Sequence, residues 1–506
     1  MRILFLSLAV LSLFPLTTFA GGKSSKRPNI LICIADDWSW PHAGVYGDKV
    51  IKTPTFDKVA KDGFLFHRAY CVAPSCTPSR ASLLTGQWAH RLQEGGNLWS
   101  ILPKRYVTFT ELLQRAGYFV GHTRKGWGPG NLKDAGREIN PAGKKYKNFA
   151  AFLKALPEDQ PFCFWFGSTD PHRSYAKGSG KKKGMNIKNV KVPSFWPDTE
   201  EIRSDILDYY FEVERFDTEV GQILDMLEKE GRADNTIVII ISDNGMPFPR
   251  CKANLYDFGT HMPMAVRWTD SGMKGREVDA FVSFQDIAPT VLQAAKVAIP
   301  KQMTGKSFLD ILTSEKEITG RDHVFVERER HANVRKGNAS YPARAIRTRD
   351  FLYIVNFRPN RWPAGDPQTV FAVGKYGDID GSPTKDVILS LKDKKPGKID
   401  YFNLSCGKRP AEELYDLKDD PDEINNVAAV PGYKEVKTRL RGQLFRWMKE
   451  TGDPRAEANG GDDRFDKFKY YGRSARKKKM SMLTLPQMHS WPKLMEEWQF
   501  IRAGDR

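Results

Sequence analysis

Cysteine is scarce in this chain. Six residues, Cys33, Cys71, Cys76, Cys163, Cys251 and Cys406, are spread over 506 positions. A set so sparse excludes a disulfide-scaffold protein. No Cys-x-x-Cys pair occurs, which argues against a structural zinc site. Beyond the N-terminal stretch, no apolar run approaches the roughly 20 residues that a membrane-spanning helix needs. Acidic residues are in deficit, 61 against 79 Lys and Arg, giving a formal net charge of +18. That balance suits an acidic partner, whether nucleic acid, anionic lipid or a polyanionic glycan. Finger spacing, RNP-type aromatics and zipper heptads are all missing, so no nucleic-acid partner is expected. Runs such as GSGKKKG and SARKKKM read as solvated charge.

What is present begins with MRILFLSLAVLSLFPLTTFA. Arg2, a short apolar run and small residues at Ala20 and Gly21 have the layout of a secretory signal peptide over residues 1–20. The expectation is an exported protein, secreted or periplasmic, that does not span the membrane. The runs NILICIA, PFCFWFGSTD and TIVIIISDNG are continuous and apolar and end in polar residues, as buried parallel strands do. Between them, SDILDYYFEVERFDTEVGQILDMLEKEG carries apolar residues at helical spacing and stops at Gly231. Alternating strands and helices predict an α/β domain over residues 28–330, with a mostly parallel sheet covered by helices. Residues 331–452 read as a smaller antiparallel α+β domain. There, SYPARAIRTRDFLYIVNF forms two strands turning at Arg349-Asp350, and YKEVKTRLRGQLFRWMKE an amphipathic helix. Residues 453–506 form a basic extension.

Ligands of parallel sheets bind beyond the carboxyl ends of the strands. Here those ends carry Asp36, Asp37, His172, Asp243 and Asn244. Three carboxylates and an amide oxygen suit Ca²⁺ or Mg²⁺ better than zinc. Arg80, Lys125 and Lys252 sit in turn-rich motifs, and cations beside a metal imply a bridging anion such as sulfate or phosphate. His172, in DPHR, suits general acid or base work. Cys33 and Cys163 lie in apolar runs and read as buried small hydrophobes. Cys76 precedes a helix-like run, where a helix N-terminus would stabilise a thiolate. A short-loop bridge to Cys71, a thiol nucleophile and a modified residue all remain open at this point.

CTPSRASLLTG, starting at Cys76, resembles the signature of type I sulfatases. RPNILICIADDW, DPH, SDNG, KANLYDFGTHMP and RPAEELYDLKDDPDEINNVA follow the same family in order, over about residues 28–430. Within the family the chain resembles the sulfamidase, or heparan N-sulfatase, group. The resemblance implies an alkaline-phosphatase-like α/β fold. It implies that Cys76 is oxidised to Cα-formylglycine by a dedicated maturase. It implies one divalent cation, usually Ca²⁺, held by Asp36, Asp37, Asp243, Asn244 and the modified Cys76. One hydroxyl of the aldehyde hydrate would attack sulfur and the other would later expel sulfate. Arg80 would steady the hydrate, Lys125 and Lys252 the sulfate, and His172 would protonate the leaving group.

Two departures from the family pattern stand out. The lysine motif usually carries a histidine two residues on, where this chain has Trp127, and His122 lies on the other side of Lys125. TDPH has Thr169 where a histidine is usual. In VERERHANVRKGN, Arg328, Arg330 and His331 have the composition of a glycan-contacting loop, and Arg361 beside Trp362 offers a further cation. The expected substrate is a sulfate ester or sulfamate on a sulfated glycan. The alternatives are a phosphoester or phosphonate hydrolase of the same superfamily, or a glycan-binding protein impaired in catalysis.

Overall fold

The computed structural model describes residues 27–315, 319–368 and 374–472. The expected signal peptide and the end of the basic extension lie outside these residues. Two sheets organise the chain. The larger is built from β1 (Asn29–Ala35), β2 (Phe64–Tyr70), β3 (Phe119–Arg124), β4 (Lys144–Lys145), β5 (Phe162–Gly167), β6 (Thr236–Ser242), β7 (His261–Arg267), β8 (Arg276–Val278) and β9 (Val282–Ser283). Its order is β4-β3-β5-β1-β6-β7-β2-β8, with β9 also paired to β2. Only β7 runs antiparallel to its neighbours β6 and β2, so the sheet is mostly parallel, as the apolar runs predict.

Strand β1 is buried throughout, and its residues alternate between two cores. Leu31, Cys33 and Ala35 join one apolar cluster. Ile30, Ile32 and Ile34 join the other. A strand covered on both faces must be apolar at every position. The 30-residue helix Glu200–Lys229, capped by Thr199, packs Ile206, Val213, Phe216 and Val220 into the first cluster.

Register is what makes a site. In β1, Ile34 pairs with Gly167 of β5, and Ala35 pairs with Ser242 of β6. The three strands therefore end at one level. The ladder runs on past their ends, with Asp36 N donating to Asp170 O and Asp243 N to Ala35 O. The polar residues that follow each strand emerge side by side.

The second sheet is antiparallel, in the order β10 (His323–Arg328), β11 (Ala343–Thr348), β12 (Phe351–Asn356) and β13 (Glu412–Asp416). Its first strand lies upstream of residue 331. The helix Lys434–Thr451 buries Leu440, Leu444, Trp447 and Met448 in a cluster with Ile346, Tyr353 and Leu414. Between β12 and β13 the chain makes a long excursion, which returns toward the larger sheet. The segment after residue 452 is tied in by Arg455, whose guanidinium meets Glu329 at 2.8 Å with no exposure. All six cysteines are buried and free, so Cys71 and Cys76 are not bridged. No helix among the described residues is long and apolar enough to cross a membrane.

Candidate active site

Cys76 is the first residue of the helix Cys76–Thr85, every residue of which is buried. This helix is not amphipathic because it fills the interior beside the strand ends. Its start is pinned by Thr77, whose hydroxyl donates to Pro129 O at 2.6 Å, and by Ser79, whose hydroxyl donates to Asp243 O. The Cys76 thiol then lies 3.5 Å from Asp36 Oδ1. Ligand atoms of Asp36, Asp37, Cys76 and Asp243 all fall within 4.8 Å of one another.

Three cations close on these carboxylates. Lys125 Nζ is 2.6 Å from Asp36, and Lys252 Nζ is 2.6 Å from Asp37. Arg80 Nε is 2.7 Å from Asp243 Oδ2, with no exposure. Arg80 also donates through Nη1 to the carbonyls of Lys125 and Gly126. That bond orients the loop carrying Lys125. The loop approaches β5 so closely that a Cβ on Gly167 would stand 1.7 Å from Lys125 O. Only glycine admits that approach.

The electrostatics follow from burial and pairing. Burial pushes the Asp36 carboxyl up, but Lys125, aided by His172, Arg80 and Lys252, overrides it and holds the group well below the carboxylate range. Asp37 is pushed up to about 6 by burial and by its neighbours Asp36 and Asp243, against Lys252 and His172. Burial raises the Cys76 thiol well above its ordinary value despite Lys125 and Lys252. Lys125 and Lys252 are raised, their carboxylate partners outweighing burial.

The arrangement fits a hard divalent cation. Asn244 is fully buried, and its amide nitrogen donates to Asp37 Oδ1 at 2.7 Å and to Gly245 O. Its Oδ1 has no hydrogen-bond partner. A buried amide oxygen left bare is costly unless something binds it, and it sits in a set otherwise made of carboxylates. Arg80 Nη2 is likewise buried and bare.

His172 stands at the mouth, with Nδ1 2.6 Å from Arg173 O and Nε2 3.9 Å from Asp37 Oδ2. Its segment is anchored by Arg173, which makes two bonds of 2.7 and 2.8 Å to Asp205 on the long helix. Asp380, unnoticed in the sequence, joins Asp37 and His172 within 4.8 Å. It lies 3.6 Å from Lys252. Against the opposing pull of burial, Lys252 and His172 keep its carboxyl far below the ordinary range. Nothing in DIDGSP beyond an acid in a turn-rich stretch signals it.

The structure thus brings together Asp36, Asp37, Cys76, Arg80, Lys125, His172, Asp243, Asn244 and Lys252. It treats the basic loop differently. Where exposed cations were expected, it has cations already partnered, Arg328 and Arg330 buried and Arg361 half-buried. Arg328 meets Asp378 at 2.7 Å, Arg330 donates to the carbonyls of Phe465 and Phe468, and Arg361 meets Asp463 and Asp466. Composition announced the charge, but partners from distant segments turned it inward. His331 is buried too, with Nδ1 2.8 Å from the hydroxyl of Ser75, next to Cys76. Trp127 is buried, its ring lying over Gly130. His122 is buried with Nδ1 2.9 Å from Gly143 O.

Comparison with known proteins agrees with this geometry. Residues 28–134 and 142–297 match the family described as Sulfatase. Residues 251–367 match one described as N-sulphoglucosamine sulphohydrolase, C-terminal. An Ulvan-active sulfatase of Formosa agariphila is 26% identical over 486 residues, covering 85% of this chain and 76% of that protein. The N-sulphoglucosamine sulphohydrolase of Homo sapiens is 29% identical over 490 residues, covering 86% and 92%. The crystal structure of a phosphonate monoester hydrolase of Agrobacterium radiobacter superposes with a TM-score of 0.61 at 18% identity, over 84% of this chain and 96% of that one. The last likeness speaks for the shared alkaline-phosphatase-like fold alone.

Proposed function

The chain belongs to the sulfatase family and is a sulfuric ester hydrolase, and within that family we propose that it is an exported enzyme acting on a sulfated glycan. The scissile bond is a sulfate ester or a sulfamate. The named substrates of its relatives, ulvan and N-sulphoglucosamine, support a glycan, and a net charge of +18 supports a polyanion. The layout of residues 1–20 supports export.

One observation carries the reading. A buried residue 76 stands 3.5 Å from Asp36, inside a ring in which three cations face three carboxylates. Cations and carboxylates arranged this way suit a doubly negative tetrahedral group held beside a divalent cation. Asp36, Asp37, Asp243 and Asn244 would hold that cation, Ca²⁺ by its hard oxygen donors. Such a cation supplies positive charge that balances the carboxylates and the incoming sulfate. Cys76, once converted to formylglycine by a maturase, would supply as its hydrate the oxygen that attacks sulfur.

The chain's own residues then have defined tasks. Lys125 and Lys252 grip sulfate oxygens as they leave their carboxylates. Arg80, with Nη2 free and buried, holds the residue-76 hydroxyl. His172 passes a proton through Nε2 to the departing alcohol or amine, because Nδ1 is occupied at Arg173 O. The test is sulfate release from a panel of N- and O-sulfated glycans, with aryl sulfate and aryl phosphate compared on the same preparation. Sulfate release that Cys76→Ala abolishes is expected. A large preference for phosphate, or glycan binding with no sulfate released by fully converted protein, would overturn the reading.

A further inference from the structure

Asp380 is an acid where an anion must enter. Its carboxylate lies beside Lys252 at 3.6 Å and, with Asp37 and His172, within a 4.8 Å group. The ammonium of Lys252, 2.6 Å from Asp37, already provides the positive charge between Asp37 and Asp380, so this trio is not a second cation site. The Asp380 side chain is 34% exposed, while the carboxylates behind it are buried. Among the described residues its ion-pair partner is Lys252, and His172 lies close by. A Cβ on neighbouring Gly381 would meet nothing within 4 Å, so the space beside it is open.

The position is built rather than accidental. On one side, Asp378 is held by Arg328, Arg335 and the backbone N–H of Ala332. Lys385 Nζ donates to Ile379 O at 2.7 Å. On the other side, the Thr384 hydroxyl donates at 2.6 Å to Asp205, the residue that also anchors Arg173. One acid thereby locks both Asp380 and His172 to the same long helix. Asp380 lies on the excursion between β12 and β13, past residue 367, where both family matches have ended.

A carboxylate here weakens binding of the sulfate itself. Its acceptor oxygens are useful only to a part of the substrate that carries hydrogen-bond donors. The geometry points to Asp380 as a specificity-determining residue that accepts a hydrogen bond from the non-anomeric ring hydroxyl nearest the sulfated group. This rests on the glycan-sulfatase reading. A charged acceptor of this kind is worth roughly 10- to 100-fold in discrimination.

The experiment compares two substrate pairs, glucosamine N-sulfate with its 3-deoxy analogue and glucosamine 6-O-sulfate with its 4-deoxy analogue. Sulfate release gives kcat and KM for the wild type, Asp380→Asn and Asp380→Ala. For the pair it cleaves, the wild type is expected to favour the hydroxyl-bearing sugar at least tenfold in kcat/KM. Both variants are expected to bring that ratio to within threefold of one, chiefly by raising KM for the hydroxyl-bearing sugar. An unchanged ratio in both variants overturns the assignment, even if both lose activity overall, because a purely structural role lowers both substrates alike. A wild type with no preference also overturns it. A wild type that releases sulfate from neither pair removes the glycan reading for these sugars and the assignment with it, an outcome distinct from the first two.

Discussion

Lys125 Nζ stands 2.6 Å from each of the two carboxylate oxygens of Asp36. A cation expected to grip sulfate is bound, in the free protein, to a carboxylate expected to bind metal. The two functions are coupled through one ion pair. Lys125→Met is therefore expected to lower kcat/KM for sulfate release by about 100- to 1,000-fold. Steady-state kinetics beside a thermal melt would show it. Activity within threefold of wild type would remove Lys125 from the anion-binding set.

Cys76 is expected to lose its sulfur before catalysis. Mass spectrometry of the peptide spanning it, in protein from the native host, should find a loss of about 18 Da, whereas ordinary cysteine oxidation adds mass. An entirely unmodified thiol in active protein would contradict the proposed nucleophile.

Chelation should abolish sulfate release, and Ca²⁺ should restore it. Because the bare Asn244 Oδ1 is buried, binding should also raise the melting temperature. Asn244→Ala should weaken the stabilisation by Ca²⁺ at least tenfold in apparent affinity. A melting temperature indifferent to Ca²⁺ and chelator would argue against a cation at these residues.

Acid should destabilise the protein partly through His122. Burial holds its imidazole down at about 4 against an ordinary 6.5. The unfolded chain therefore takes up the proton first as pH falls. The contribution is intact above about 6.5, shrinks as pH drops, and is gone below about 4, a total on the order of 3 kcal/mol. Chemical denaturation of His122→Gln across this window should show a shallower loss than wild type. Parallel curves would contradict a buried neutral His122.

Arg344 ties the second sheet to the C-terminal segment. It has no exposure and meets Asp453 at 2.6 Å, Glu329 at 2.8 Å and Glu327 at 3.5 Å. Arg344→Met strands buried carboxylates and should cost about 3–5 kcal/mol, read from denaturant midpoints.

Much of the site could be read locally. Asp36, Asp37, Asp243 and Asn244 each follow a continuous apolar run directly, so finding the strands also found the acids. Cys76 lies in a motif whose side chains are close in sequence and share one helix start. Asp380 was illegible because its neighbours, His172 and Lys252, are remote in the chain and nothing in its own segment is periodic. The pairing of Arg328, Arg330 and Arg361 was illegible for the converse reason. Their charge is visible in composition, but the carboxylates and carbonyls that draw it inward come from residues 378 and 463–468.

By itself, the sequence determined the strand-end chemistry of this protein: apolar runs that must be buried on both faces, followed at once by acids that must not be left unpaired. It also determined the motif that carries Cys76, whose residues are adjacent in the chain. Only the tertiary structure decided which cations face the site and which face the core, and that an acid from a distant excursion stands at the entrance. The physical reason is that periodicity reports which way a backbone turns, while the direction of a charged side chain depends on partners that arrive from elsewhere in the fold.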